Sequence, residues 1–145
     1  MKGCKFSRTR SAEWNISHQR TYSSPRMHFR PIEVYQRLNE VGINGVGISV
    51  ISAFELEVGA LRAPSRTHGD QVRSYLAELT ILPLDDSARQ AYGTLRVDLE
   101  RRGEKIGPYD MLIAAHALSL GATLVTNNER EFKRVKGLRV ENWVH

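Results

Sequence analysis

From Pro31 onward, large apolar residues recur at intervals of three and four, then in short unbroken runs, then at three and four again. Ile32, Tyr35, Leu38 and Val41 keep helical spacing behind Pro31, which suits a first helical position, and Gly42 ends the run. GVGISVIS (45–52) is short and rich in β-branched residues and predicts a buried strand. SAFELEVGALR (52–62) returns to helical spacing, with Phe54, Val58 and Leu61 on one side. A further helix is expected over 69–80, with Val72, Tyr75, Leu76 and Leu79 on its apolar face. TILPL (80–84) predicts a short strand that Pro83 puts at a sheet edge or at the strand's end. Ala88, Ala91, Tyr92, Leu95 and Leu99 mark a long amphipathic helix over 86–102, stopped by Gly103. The next helix starts within IGPYDMLIAAHA (106–117) and reaches about Leu120, with Gly121 at its C-terminal end. ATLVT (122–126) and LRVENW (138–143) predict strands, with a turn or short helix at NNEREF (127–132) between them.

Strands therefore alternate with helices, the pattern of a three-layer α/β domain around a mainly parallel sheet. Residues 1–30 show neither period and are dominated by Ser, Arg, Thr and Lys, so the expectation is a disordered segment followed by one domain over 31–145. Charge agrees with that division. Seven basic residues and a single acid, Glu13, give residues 1–30 a net +6, while the chain as a whole carries +5, which leaves −1 for the rest. The sequence pI of about 9.7 is thus no argument that the folded body binds nucleic acid. One cysteine, Cys4, excludes an internal disulfide and leads to the expectation of a cytoplasmic protein. No apolar run approaches the roughly 20 residues that cross a bilayer.

In sheets of this kind, sites form at the C-terminal ends of the strands. Three separated regions place oxygen donors there: Glu55 after the strand in 45–52, Asp110 in the first turn of its helix, and Asn128, Glu129 and Glu131 after strand 122–126. Each has a plain alternative. Ser52 and Glu55 fit a capping box. Asp110 can stabilise a helix N-terminus by roughly 0.3–1 kcal/mol. Asn127-Asn128 can be a turn. His116 lies far round the helix from Asp110 and reads as packed or surface, not as a ligand. Taken together, oxygen donors without a His or Cys cluster suit Mg²⁺ or Mn²⁺ rather than zinc. Such ions lower the pKa of water and neutralise phosphate charge in nucleases.

ISVISAFELEVGA (48–60) and IGPYDMLIAAHALSLGATLVTNNEREFKRVKGLRVENW (106–143), with the helix between them, resemble the PIN domain of VapC-type toxins from bacterial toxin–antitoxin pairs. The likeness runs from about Pro31 to Trp143. It implies a PIN-like three-layer α/β fold, a Mg²⁺- or Mn²⁺-dependent endoribonuclease acting on RNA such as tRNA, a cognate antitoxin, and a homodimer. It also implies catalytic roles for Glu55, Asp110 and Glu131, a metal site made by these with Asn128, and a hydroxyl near the site from Thr126. The alternative is a non-catalytic remnant that binds antitoxin or RNA. One departure stands out. PIN domains open with a central strand ending in Asp-Thr-Asn or similar, and this chain has no Asp before Asp70, so the first strand is expected to be missing or altered. Read in a shifted codon frame, EWNISHQRTYSSP permits Y-L-A-S-T-N-V-F-I-A, close to such a start but with Ser or Pro where the family has its Asp. An N-terminus out of frame with an ancestral toxin is the corresponding expectation.

Overall fold

A computed structural model of the protein describes residues 3–7, 15–19, 32–42, 45–126 and 128–143. The elements are β1 (Gly3–Ser7), β2 (Asn15–Gln19), α1 (Ile32–Val41), β3 (Val46–Ser49), α2 (Val50–Leu61), α3 (Arg66–Glu78), β4 (Thr80–Leu82), α4 (Asp86–Arg101), α5 (Pro108–Leu120), β5 (Thr123–Thr126), α6 (Glu129–Phe132) and β6 (Arg139–Glu141). The strands form one sheet in the order β4-β3-β1-β2-β5-β6. β3 with β4, β2 with β5, and β5 with β6 are parallel, and β1 is antiparallel to its neighbours. β4 is an edge strand, and Pro83, with no N–H to give to a ladder, follows it directly.

The helices cover both faces. Along β5, successive side chains point to opposite sides of the sheet. Leu124 packs with Leu95, Leu99, Ile113 and Phe132 beneath α4 and α5, whereas Val125 packs with Val46 and Trp143 beside Val41 of α1. A third cluster, Ile48, Leu56, Ala60 and Val72, joins β3 to α2 and α3. There the helices come very close: a Cβ on Gly69 would stand 2.6 Å from the main-chain oxygen of Ala60. α5 is buried around most of its girth because Ala114, Ala115 and Ala117 are small enough to be enclosed. It ends at Gly121, whose φ of 61° is the left-handed conformation that glycine tolerates best, and the chain turns straight into β5.

Three expectations are corrected. First, segments of residues 1–30 are strands: β1 and β2 pair with β3 and β5, and those ladders supply the backbone partners that the local pattern does not announce. The remainder of 1–30 and Asn127 lie outside the described residues. Second, α2 begins earlier than expected. Ser49, not Ser52, is its N-cap and accepts from the Ile51 N–H, so the capping box is not formed and Glu55 falls beyond the first turn. Third, Phe54, Val58 and Leu61 face solvent, at 63%, 38% and 72% exposure, and the buried side of α2 is Ser52, Ala53, Leu56 and Ala60. Leu56, with the small residues Ser52, Ala53 and Ala60, makes the contact beneath this helix.

Candidate active site

Because β2, β3 and β5 run parallel, their C-terminal ends share one edge of the sheet. That edge collects most of the candidate donors. β3 ends in Ser49 and passes directly into α2, which carries half-buried Glu55. β5 ends in Thr126, 1% exposed, whose Oγ1 accepts the main-chain N–H of Asn128 at 3.0 Å. This small turn sets Asn128, itself buried, at the head of α6, with half-buried Glu131 following. α5 leads into the start of β5, so its first turn lies back at the same edge.

Asp110 sits in that first turn and is only 5% exposed. Pro108 opens the helix at no cost in donors, and Gly107 supplies no side-chain cap. Asp110 Oδ2 leans back towards Gly107, where a Cβ would meet it at 3.7 Å. A carboxylate at this position is favoured by the unpaired N–H groups of the helix's first turn.

The donor set is all oxygen, as a hard divalent cation requires. It is incomplete by count: among the described residues, no three His, Cys, Asp or Glu side chains converge closely enough to hold a metal ion. Glu55, Asp110 and Glu131 share an edge of the sheet without forming one cluster.

Two contacts escaped the sequence reading. His116 is packed, one of the two expected alternatives, and its Nδ1 lies 2.9 Å from Ser49 Oγ. Burial pushes the imidazole below its ordinary range, against the opposing pull of the Pro83 main chain and the Asp85 carboxylate. His116 thereby ties α5 to the end of β3, just where the chain enters α2. The other is made by Arg102, which reaches Asp98, Glu104 and the main-chain oxygen of Arg134. Arg134 in turn donates to the main-chain oxygen of Lys105. These contacts fasten the loop that delivers Asp110 to the turn that follows α6. The buried His and the arginine after a helix had been visible as residue types, but their partners are 67 and 32 residues away along the chain.

The PIN domain family model matches residues 25–138. The tRNA(fMet)-specific endonuclease VapC of Salmonella typhimurium is 39% identical over 116 residues, covering 79% of this chain and 86% of that one. This chain belongs to the PIN-domain family, among the VapC ribonucleases. The ribonuclease VapC2 of Haemophilus influenzae is likewise 39% identical, over 117 residues, with 79% and 87% covered. The DNA-bound VapBC structure from Salmonella typhimurium superposes with a TM-score of 0.74 at 36% identity, covering 79% of this chain and 86% of that one. The PIN match includes Glu55, Asp110, Thr126, Asn128 and Glu131 and begins after β1 and β2. The central strands of the sheet are therefore the part of this VapC-like chain that departs from the family pattern.

Proposed function

We propose that this chain is the toxin of a toxin–antitoxin pair and acts as a Mg²⁺- or Mn²⁺-dependent endoribonuclease on RNA such as tRNA. The observation that carries the reading is Asp110, buried in the first turn of α5 at the edge where β5 ends in Thr126 and leads to Asn128 at the head of α6. The names of the relatives supply the reaction class. Glu55, Asp110 and Glu131, with Asn128, hold the ion, and Thr126 fixes the turn that presents Asn128. The bound cation supplies water activation and neutralises charge on the phosphate. A further acid belongs at the end of β2, where the shifted-frame reading puts the family's Asp at His18–Gln19. His18 there pairs in register with Thr126.

The partner is a cognate antitoxin, by analogy with the VapBC complex. Phe54, Val58 and Leu61 form an exposed apolar ridge on α2 of the kind that protein partners cover. A homodimer acting in the cytoplasm completes the proposal. No helix among the described residues is long and apolar enough to cross a membrane.

A second reading, a remnant that binds antitoxin or RNA without cutting, is favoured by the absence of three converging acids among the described residues. One experiment separates the two. Purified protein is incubated with total tRNA and Mn²⁺, alongside EDTA and Asp110→Asn controls. Metal-dependent cleavage lost in the variant supports the nuclease. No cleavage by protein that is folded by circular dichroism supports the remnant.

A further inference from the structure

Between the second half of α4 and the first turn of α5 lies a cleft of about 370 Å³, within the range of small-ligand sites. Leu99, Ile106 and Met111 line it with apolar surface, and Tyr92, Arg96 and Lys105 stand around it. Pro108 and Met111 both line the cleft, three residues apart on one side of α5, whereas Asp110 falls between them on the other side. Cleft and buried acid are thus opposite sides of one helical turn. Tyr109, between them in sequence, is 59% exposed.

The charges of the cleft are mostly cancelled. Arg96 is paired with Glu100 at 2.9 Å and Glu104 is paired with Arg102. Lys105 is exposed and has no ion-pair partner among the described residues. The result is a neutral, largely apolar slot with a single cation beside it. A phosphate or carboxylate inside the slot would gain little from compensated charges. A flat neutral group tethered to an anion fits both parts. A nucleotide of single-stranded RNA has that form, and unpaired bases are bound by apolar slots and by stacking on aromatic rings. Tyr92 adds a hydroxyl to the rim, accepting from Arg96 at 3.3 Å and keeping its own proton for a base edge.

We propose that this cleft is a base-binding subsite for one unstacked base of single-stranded RNA, with Lys105 on its phosphate and Tyr109 stacking the neighbouring base. The proposal rests on the reading of the chain as an RNA-binding nuclease and goes beyond it by naming where the strand runs next to Asp110.

The test is fluorescence anisotropy with a short labelled single-stranded RNA in EDTA, so that no cleavage is needed. Met111→Trp, which fills the slot, is expected to weaken binding about five- to tenfold, the lower end of a stacked base's contribution, and Lys105→Ala to weaken it with a loss that shrinks as salt is raised. Arg66→Ala, on α3, should bind as the unaltered chain does. An abasic strand of the same length should keep its dependence on Lys105 and lose its sensitivity to Met111→Trp. Should Met111→Trp fail to fold by circular dichroism, Tyr92→Ala carries the same expectation. Unchanged binding by a folded slot variant overturns the proposal. Absence of RNA binding by the unaltered chain overturns it too, and is recognisable as failure of the RNA reading itself.

Discussion

The guanidinium of Arg102 donates to the main-chain oxygen of Arg134 at 2.8 Å, joining the end of α4 to the turn after α6. With Asp98 and Glu104 also bound to it, this one side chain ties the stretch 98–104 together and to the turn at Arg134. Arg102→Met is expected to cost about 1–3 kcal/mol, because a carbonyl is left without its donor and the pairing of two partly exposed acids is lost. Arg102→Lys should recover only part of that, since an ammonium lacks the planar fork. Urea denaturation of the three proteins measures both steps.

His116 gives a pH dependence with a definite sign. Burial lowers its folded-state pKa below the unfolded value, so folding favours the neutral ring. The contribution is fully present above the unfolded pKa of about 6.5 and is lost as pH falls towards the lower folded value. Stability from urea curves should therefore drop between neutral and mildly acid pH. A His116→Asn variant, which removes the titrating ring, should show a smaller drop across the same interval.

Metal binding is measurable without substrate. If Asp110 and its neighbours hold Mn²⁺, adding Mn²⁺ raises the melting temperature by mass action, since the unfolded chain has no such site. Asp110→Asn should abolish most of that rise while leaving the metal-free melting temperature close to that of the unaltered chain. A rise that survives the substitution would assign the ion to other residues.

An acid at the end of β2 should strengthen the site. Gln19→Asp and His18→Asp, made separately, place a carboxylate on the strand that pairs in parallel with β5 up to Thr126. One of the two is expected to tighten Mn²⁺ binding at least about tenfold, the effect of roughly 1.4 kcal/mol, and to raise tRNA cleavage. Isothermal titration with Mn²⁺ decides the first point. No gain from either variant would mean that this edge does not complete the site.

The sequence was most legible where one helix face or one strand meets the core locally. α4, α5 and β5 fall where spacing put them, because Leu95, Leu99, Ile113 and Leu124 combine a regular period with deep burial. The positions of Asp110 and Asn128 were legible for the same reason, since each stands beside an element boundary marked by Pro108 or by the end of β5. α2 misled because Phe54, Val58 and Leu61 face outwards while Leu56 is the one buried, an arrangement that periodicity alone cannot tell from a core stripe. β1 and β2 were invisible because their support comes from distant ladders. That the acids share one edge follows from the strand ends, but spacing along a chain does not fix the distances between them, and among the described residues no three of them converge.

A glycine codon becomes another amino acid's codon by a single base change, and every such product carries a Cβ. At position 69 that atom would have to occupy space 2.6 Å from a main-chain oxygen of α2, and a helix backbone does not swing aside as a long side chain does. No missense change is conservative there, whatever its polarity or charge. A library of random variants selected only for folding should thus return synonymous changes at this codon and little else.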